Sequence, residues 1–290
     1  MKVNFQEALA MLLRALPLVL FRAVYFVAGG FLVILLFGLL LFVLRPGTGA
    51  GQTTAVMTVV LTIAAGWIIS LVGQRFFLYR YQAAMLFMFS GRFAPAPGKA
   101  GAVRAAARFF PDHSRWAAQT HRLSRFLAGE RCGHKGSPPQ PEAQAETVGR
   151  LASGLLAQAI IAVAFERGGI DTGQSIRKGA SLYLRHGAAA RKSARSWLGF
   201  SALGLAFIFI LIALPNGFFF NAAGAPVWIG IVLAMAMAWV LFQAFVFPFA
   251  LAGVSGALLA ETPDQKPDED LCLELTPLFP DLGGSDPRAD

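Results

Sequence analysis

Long uncharged apolar stretches dominate this chain and decide its fold class. The 22 residues between Arg22 and Arg45 carry no charge, and a second such stretch covers residues 53–73. Two more follow, over residues 197–214 and from about Val227 onward. A helix needs about 20 apolar residues to cross a bilayer core of about 30 Å. The sequence therefore predicts an all-α polytopic integral membrane protein with about four transmembrane helices.

The amino-acid composition also favours a bilayer over water as the solvent. Of 290 residues, 56% are hydrophobic and 14% are charged, and 26 are Phe. A soluble domain usually carries roughly 25% charged residues. We therefore do not expect a water-soluble enzyme or binding module.

The distribution of basic residues predicts the orientation. Nineteen Lys and Arg residues lie between Arg75 and Arg195, whereas loops 46–52 and 215–226 contain none. Basic segments stay on the cytoplasmic side of a membrane. We predict that both termini and the region between the second and third spans are cytoplasmic. Residues 151–165 span roughly 22 Å as a helix, too short for a comfortable crossing, so we expect a helix packed on the cytoplasmic side of the bundle, or a re-entrant segment.

The chain divides into four predicted sections. Residues 1–90 hold an interfacial helix, two spans and a juxtamembrane helix along the headgroups, and residues 91–150 form a basic insert with a flexible linker. Residues 151–260 hold cytoplasmic-side helices and two spans, with Pro248 expected to break the last apolar stretch. Nine acids against two bases give residues 261–290 a net charge of −7, whereas the first 260 residues carry +16. This acidic, Pro-rich tail is predicted to be disordered.

Basic amphipathic helices on the cytoplasmic face predict binding to anionic lipid headgroups. One such helix is expected over residues 112–127 and another after residue 171. Bases on helices of this kind meet anionic membrane surfaces. Nucleic acid is not expected as a partner, because the bases flank apolar spans and no nucleic-acid motif is present. The predicted lipid-binding residues are Arg115, Arg122, Arg125, Arg177, Lys178, Arg185, Arg191 and Lys192.

Small residues at a spacing of four predict packing surfaces on the second and fourth spans. Small side chains let helices approach closely in lipid, where apolar burial drives association weakly. We expect the two ridges to pack on each other or on a second copy, and a polar path lined by hydroxyls is the alternative. Gln243 is expected to bond a carbonyl freed by Pro248, rather than to line a substrate path. The ridge residues are Thr54, Thr58, Thr62, Gly66 and Ser70, and Gly230, Ala234 and Ala238.

No residue set in the sequence predicts catalysis, a cofactor or a metal. Within the bounds given above, the four spans contain no ionisable residue, which argues against a proton-driven transporter. The string Gly253–Gly256 matches the G-x-S-G of rhomboid-type proteases, but all four histidines lie between residues 113 and 186, so we expect helix packing. Cys132 and His134 provide two ligands where zinc needs three or four.

These observations predict a non-enzymatic scaffold or accessory subunit that binds anionic lipid and a protein partner, or forms a homo-oligomer. The alternative is a component of a small-solute or lipid transport pathway, working as an oligomer. Arg outnumbers Lys, and Ala, Gly and Pro are frequent, which is typical of GC-rich bacterial genomes. We therefore expect the bacterial inner membrane as its location.

The predicted orientation is testable with a membrane-impermeant thiol reagent on intact cells. In a background without Cys132 and Cys272, Thr48→Cys and Ala222→Cys should be labelled from outside. Ser137→Cys should be labelled only after the cells are opened. Labelling of Ser137→Cys in intact cells would contradict the orientation.

Overall fold

The computed structural model describes residues 5–44, 51–91, 99–128, 150–167, 172–222, 227–262 and 265–279. These residues are 91% helical and include no strand, which confirms the all-α prediction. Two π-helical segments, Gln74–Leu78 and Phe242–Val246, lie between α-helices. In chain order the α-helices are α1 (Phe5–Arg14), α2 (Leu16–Leu44), α3 (Gly51–Gly73), α4 (Tyr79–Phe89), α5 (Lys99–Phe109), α6 (His113–Leu127), α7 (Arg150–Arg167), α8 (Thr172–His186), α9 (Ala188–Ala222), α10 (Val227–Leu241), α11 (Phe247–Glu261) and α12 (Glu269–Glu274).

Four helical stretches of the described residues are long and apolar enough to cross a membrane, as the sequence predicts. They cover Leu16–Leu40, Val60–Phe89, Ala188–Phe218 and Val227–Glu261. Residues 152–166 form a shorter apolar helix. The chain is therefore a multi-pass membrane protein by the length and composition of its helices.

The chain forms two compact units that cut across the four sections predicted from the sequence. The first, here called the helical domain, contains Met1–Val19, Tyr79–Phe200 and Pro248–Asp290. The second, here called the apolar unit, contains Leu20–Leu78 and Ser201–Phe247.

Helix α7 forms the centre of the helical domain. Its Leu156, Ile160 and Ile161 side chains are fully buried, and α4, α6 and α8 pack around it. Burying such side chains contributes about 1.5–3 kcal/mol each. The predicted packed helix at residues 151–165 is therefore present as the core of a folded domain, and its position relative to the membrane stays a prediction.

Helix α4 is also a core helix, packed against protein on all sides over most of its length, and its position relative to the headgroups stays a prediction. Ala83, Met85 and Leu86 are at most 1% exposed, and the whole run to Phe89 is buried. Residues 83–89 are apolar all round, and such a run is buried in protein or in lipid without a periodicity that distinguishes the two.

Glycines set the spacing between helices in the helical domain. A Cβ at Gly179 of α8 would lie 2.8 Å from the Ile160 carbonyl oxygen of α7. A Cβ at Gly253 of α11 would overlap the buried indole of Trp197. Both backbones therefore approach a neighbour more closely than any other residue allows.

The predicted helix from Asp112 to Leu127 is confirmed as α6. Asp112 is the N-cap, and its carboxylate accepts a hydrogen bond from the Arg115 backbone N–H at 2.8 Å. Hydrogen bonds from the Ser114 hydroxyl and from that N–H lower the pKa of Asp112. The cap therefore stays ionised, and effective, at neutral pH.

Two prolines do not end their helices where the sequence predicts. Helix α9 continues past Pro215 to Ala222, so part of the predicted loop 215–226 is helical, and residues 223–226 lie outside the described residues. At Pro248 the last apolar stretch continues through the π-helical segment into α11. A π turn lets the helix continue past Pro248, although one carbonyl before the proline then lacks a helical donor.

The acidic tail is ordered over residues 265–279, contrary to the prediction of disorder. Asp268 caps α12 by accepting hydrogen bonds from the backbone N–H groups of Asp270 and Leu271. Phe279 is 0% exposed and meets the Phe126 ring edge-to-face at 6.1 Å. Residues 280–290 lie outside the described residues.

The close approach at Gly253 is testable by adding one methyl group. Gly253→Ala should lower the stability of the purified protein by about 1–3 kcal/mol, the usual cost of overpacking. Gly154→Ala in α7 is the matched control, because a Cβ there meets nothing within 4 Å and should stabilise the helix by about 0.5–1 kcal/mol. Thermal unfolding in detergent measures both, and a higher melting temperature for Gly253→Ala would contradict the packing.

Candidate functional site

A buried polar cluster lies inside the apolar unit. The Arg22 side chain of α2 is 6% exposed. Its Nε donates to the Gln243 carbonyl oxygen at 3.0 Å, and its Nη2 donates to the Gln243 side-chain Oε1 at 2.9 Å. The guanidinium carbon also lies 5.0 Å from the Phe26 ring centroid and 4.9 Å from that of Phe247. Aromatic faces stabilise a cation at such distances, and more so when it is desolvated.

The backbone of the last apolar stretch explains why Arg22 is held there. In the π-helical segment the Phe247 N–H donates to the Phe242 carbonyl, so it does not reach Gln243. The next residue, Pro248, has no N–H to donate. The Gln243 carbonyl thus has no helical partner, and a buried carbonyl must find one. Arg22 supplies that hydrogen bond and a second one to the side chain.

This arrangement modifies two predictions. Gln243 has a structural role beside Pro248, but the freed carbonyl is its own and its side chain accepts from Arg22. The first span was predicted to lack ionisable residues, and this holds only if the span begins after Arg22, as the sequence bounds assume. The candidate span begins at Leu16, so Arg22 lies within it.

An apolar cavity of about 530 Å³ opens between α2, α3 and α10 of the apolar unit. On α2 its lining extends from Tyr25 to Phe37, which is roughly 18 Å along the helix. The polar atoms of its lining side chains belong to Tyr25, Thr62 and Trp239. The Tyr25 hydroxyl donates to the Ile69 carbonyl oxygen at 3.1 Å.

The polar cluster adjoins one end of this cavity, although neither Arg22 nor Gln243 lines it. Phe26 lines the cavity, and the same ring lies under the Arg22 guanidinium. Leu241 lines it two residues before Gln243. An elongated apolar space with a cation at one end matches the two parts of an amphiphile with an anionic head.

The small-residue ridges on α3 and α10 do not contact each other at Gly66. Thr62 and Gly66 line the cavity, and the side chain nearest to a Cβ at Gly66 is Val33 of α2, at 3.6 Å. On α10, Ala234 and Ala238 are fully buried, and Gly230 is buried as well. The side chains of Thr54, Thr58 and Ser70 lie outside those described.

The predicted lipid-binding bases lie on α6, α8 and the start of α9, all within the helical domain. Arg122, Arg185 and Lys192 are exposed, and the side chains of Arg115, Arg125, Lys178 and Arg191 are partly exposed. Arg177 is 8% exposed, and its Nη1 donates to the Phe279 carbonyl oxygen at 2.7 Å. The tail therefore covers Arg177 in this structure, and contact of this residue with headgroups stays a prediction.

Arg191 has a neighbour of its own. Its guanidinium carbon lies 5.7 Å from the Tyr183 ring centroid. Burial raises the pKa of Tyr183, although the adjacent Arg191 acts in the opposite direction. The phenol is therefore neutral at physiological pH.

The weak chemical motifs of the sequence do not come together in the described residues. Ser255 of the G-x-S-G string is fully buried in α11. Among the described residues no three His, Cys, Asp or Glu side chains are grouped for a metal ion. Cys132 and His134 lie outside the part of the chain that the structure describes.

Comparison with known proteins found no family model, no curated protein and no solved structure that matches this chain.

A double-mutant cycle tests the Arg22–Gln243 contact. Arg22→Leu should lower stability because it removes a bond to the freed carbonyl, and bonds from charged groups contribute about 1.5–3 kcal/mol. Gln243→Leu removes only the side-chain bond. The double variant should cost less than the sum of the two, since each single change strands the other partner.

The measurement is thermal or denaturant unfolding in detergent. Arg75→Leu, an exposed arginine of the same unit, serves as the control and should change stability little. Strictly additive effects of Arg22→Leu and Gln243→Leu would contradict the contact.

Proposed function

We propose that this protein is a non-enzymatic membrane accessory or scaffold protein that binds anionic phospholipid and a protein partner. The observation that carries the proposal is the apolar cavity with the Arg22 guanidinium at one end. The cavity would hold an acyl chain, and Arg22 would attract the phosphate.

The cavity suits an acyl chain in size and lining. Its volume of about 530 Å³ falls within the roughly 300–1,000 Å³ of small-molecule sites. The lining is apolar over most of its length, and a flexible chain fills such a space without leaving a polar group unsatisfied. Guanidinium groups bind phosphate through charge-assisted hydrogen bonds. Phospholipid is also the solvent of a membrane protein, so the ligand is always present.

Exposed apolar helix faces support the scaffold part of the proposal. Only 11% of the apolar window in Leu16–Leu40, and 11% of that in Ala188–Phe218, is buried within the chain. On the latter, Leu203 is 73% exposed and Phe207 is 64% exposed. Such faces are covered by lipid or by another protein, and a partner helix or a second copy fits them equally well.

The proposed location is the bacterial inner membrane, with the helical domain and both termini in the cytoplasm. Nineteen Lys and Arg residues lie between Arg75 and Arg195, and most of that stretch belongs to the helical domain. Retention of basic segments in the cytoplasm supports this orientation.

The alternative function is a component of a transport pathway. The buried Arg22 within a candidate span favours it, because ionisable residues at membrane depth often mark substrate paths. The apolar lining of the cavity favours a lipid over a hydrophilic solute as the substrate. Movement of fluorescent lipid between leaflets of proteoliposomes separates the two functions, since a scaffold would bind lipid without moving it.

Lipid retention tests the proposed site. Gly29 lines the cavity, and a Cβ there is 3.9 Å from the nearest atom of Ile69. Gly29→Leu should fill part of the cavity and reduce co-purified anionic phospholipid several-fold without lowering the melting temperature. Gly66→Leu should act in the same direction, whereas ridge packing alone predicts that it weakens the fold.

Gly38→Leu is the matched control, because Gly38 lies on the same helix and a Cβ there meets nothing within 4 Å. Lipid bound per protein is measured by mass spectrometry after delipidation and exposure to equal phosphatidylglycerol and phosphatidylcholine. Equal retention by Gly29→Leu and Gly38→Leu, or no preference for phosphatidylglycerol in the parent, would overturn the proposal.

A further inference from the structure

The acidic tail lies on helix α8, the helix that carries three of the predicted lipid-binding bases. Asp268 forms an ion pair with Arg185. Further along, the Cys272 thiol donates to the Ser181 hydroxyl at 3.5 Å, and Arg177 donates to the Phe279 carbonyl oxygen at 2.7 Å. Residues 265–279, the described part of the tail, therefore contact α8 near both of their ends and in between.

Apolar contacts concentrate at the far end of the tail. Leu275 is 4% exposed and Phe279 is 0% exposed, and Phe279 packs on the Phe126 ring of α6. In contrast, none of the residues of α12 is buried. The tail is thus anchored at Phe279, while every residue of its acidic helix keeps some exposure to solvent.

An opening of about 630 Å³ separates α12 from α8. Gln174, Arg177 and Lys178 line it from α8, and Glu269, Cys272 and Thr276 line it from the tail. The acidic helix is therefore not sealed onto the basic face. Within the ion pair, the Arg185 side chain is 58% exposed, and a pair with one solvated partner is weak and screened by salt.

We propose that residues 265–279 act as an intramolecular ligand that covers the basic face of α8, and that anionic phospholipid headgroups displace it. Asp268 on Arg185 shows that this face accepts a carboxylate, and a phosphate diester carries the same charge with the same hydrogen-bond acceptors. A bilayer rich in anionic lipid presents many such groups at once and attracts each nearby base. This site lies in the helical domain and is separate from the cavity of the apolar unit.

Cys272 reports directly on the position of the tail. The chain has two cysteines, so Cys132→Ser leaves Cys272 as the only thiol, and docking holds it against Ser181. The full-length protein is placed in nanodiscs of phosphatidylcholine alone or with phosphatidylglycerol. The rate of maleimide labelling should rise several-fold in the anionic discs, and high salt should remove most of the difference.

Charge variants distinguish displacement of the tail by anionic lipid from a general loosening of the tail. Asp268→Asn keeps a good helix cap but removes the ion pair, so labelling should be fast in both kinds of disc. Glu274→Gln removes one charge from an exposed side chain of the same helix and should behave like the parent. Arg185→Gln should also release the tail in neutral discs.

Two outcomes would overturn the inference. One is a parent labelling rate that does not depend on the lipid, even if Asp268→Asn speeds it. The other is an Asp268→Asn variant that still responds to phosphatidylglycerol as the parent does. Neither outcome bears on the Gly29→Leu experiment, so the cavity proposal and the tail proposal are tested independently.

Discussion

A buried carbonyl without a helical partner ties together the first and last apolar stretches of the apolar unit. Pro248 and the π-helical segment before it leave the Gln243 carbonyl unsatisfied, and a membrane interior contains no water to satisfy it. Arg22 supplies the missing donor from α2. A charged donor is costly to bury, and here its two hydrogen bonds and two aromatic faces offset that cost. The same contact places a cation beside the cavity, so the constraint that holds the helices also creates the candidate site.

The two units bury their apolar surface in different ways. In the helical domain, α7 is enclosed by its neighbours, as in the core of a soluble protein. In the apolar unit, the helices keep long apolar faces exposed and leave a cavity between three of them. Lipid tails are as apolar as leucine, so such faces cost little in a bilayer. The helical domain is therefore expected to fold like a soluble protein, whereas the apolar unit depends on lipid or a partner to cover it.

The sequence was sufficient to predict the number of long apolar helices, because the length of an apolar stretch and its lack of charge are local properties. It did not predict the burial of α4, because Tyr79, Arg80 and Tyr81 at its start are typical of a membrane interface, whereas the helix lies in a protein core. Arg22 was taken as the boundary of a span, since its partner Gln243 lies 221 residues away in the chain. Arg177 was assigned to the surface for a similar reason, because the segment that covers it comes from the tail. Contacts between distant parts of the chain decide these positions, and no pattern within one helix reports them.

The charge asymmetry of the sequence takes on a physical role in the folded chain. The described part of the acidic tail, residues 265–279, carries four acids and one base and is held near the basic face by the chain itself, so its effective concentration there is high. Weak polar contacts are then enough to keep α12 on α8. The same weakness makes the contact reversible. A membrane surface with many anionic groups can compete with the single tethered helix because it offers many ligands at once. A strongly buried tail would not release, and an untethered one would not cover the face. Helix α12 is exposed, whereas Phe279 after it is buried and anchors the tail. A segment that covers the basic face only until anionic lipid arrives requires this combination of a weak contact and a fixed anchor.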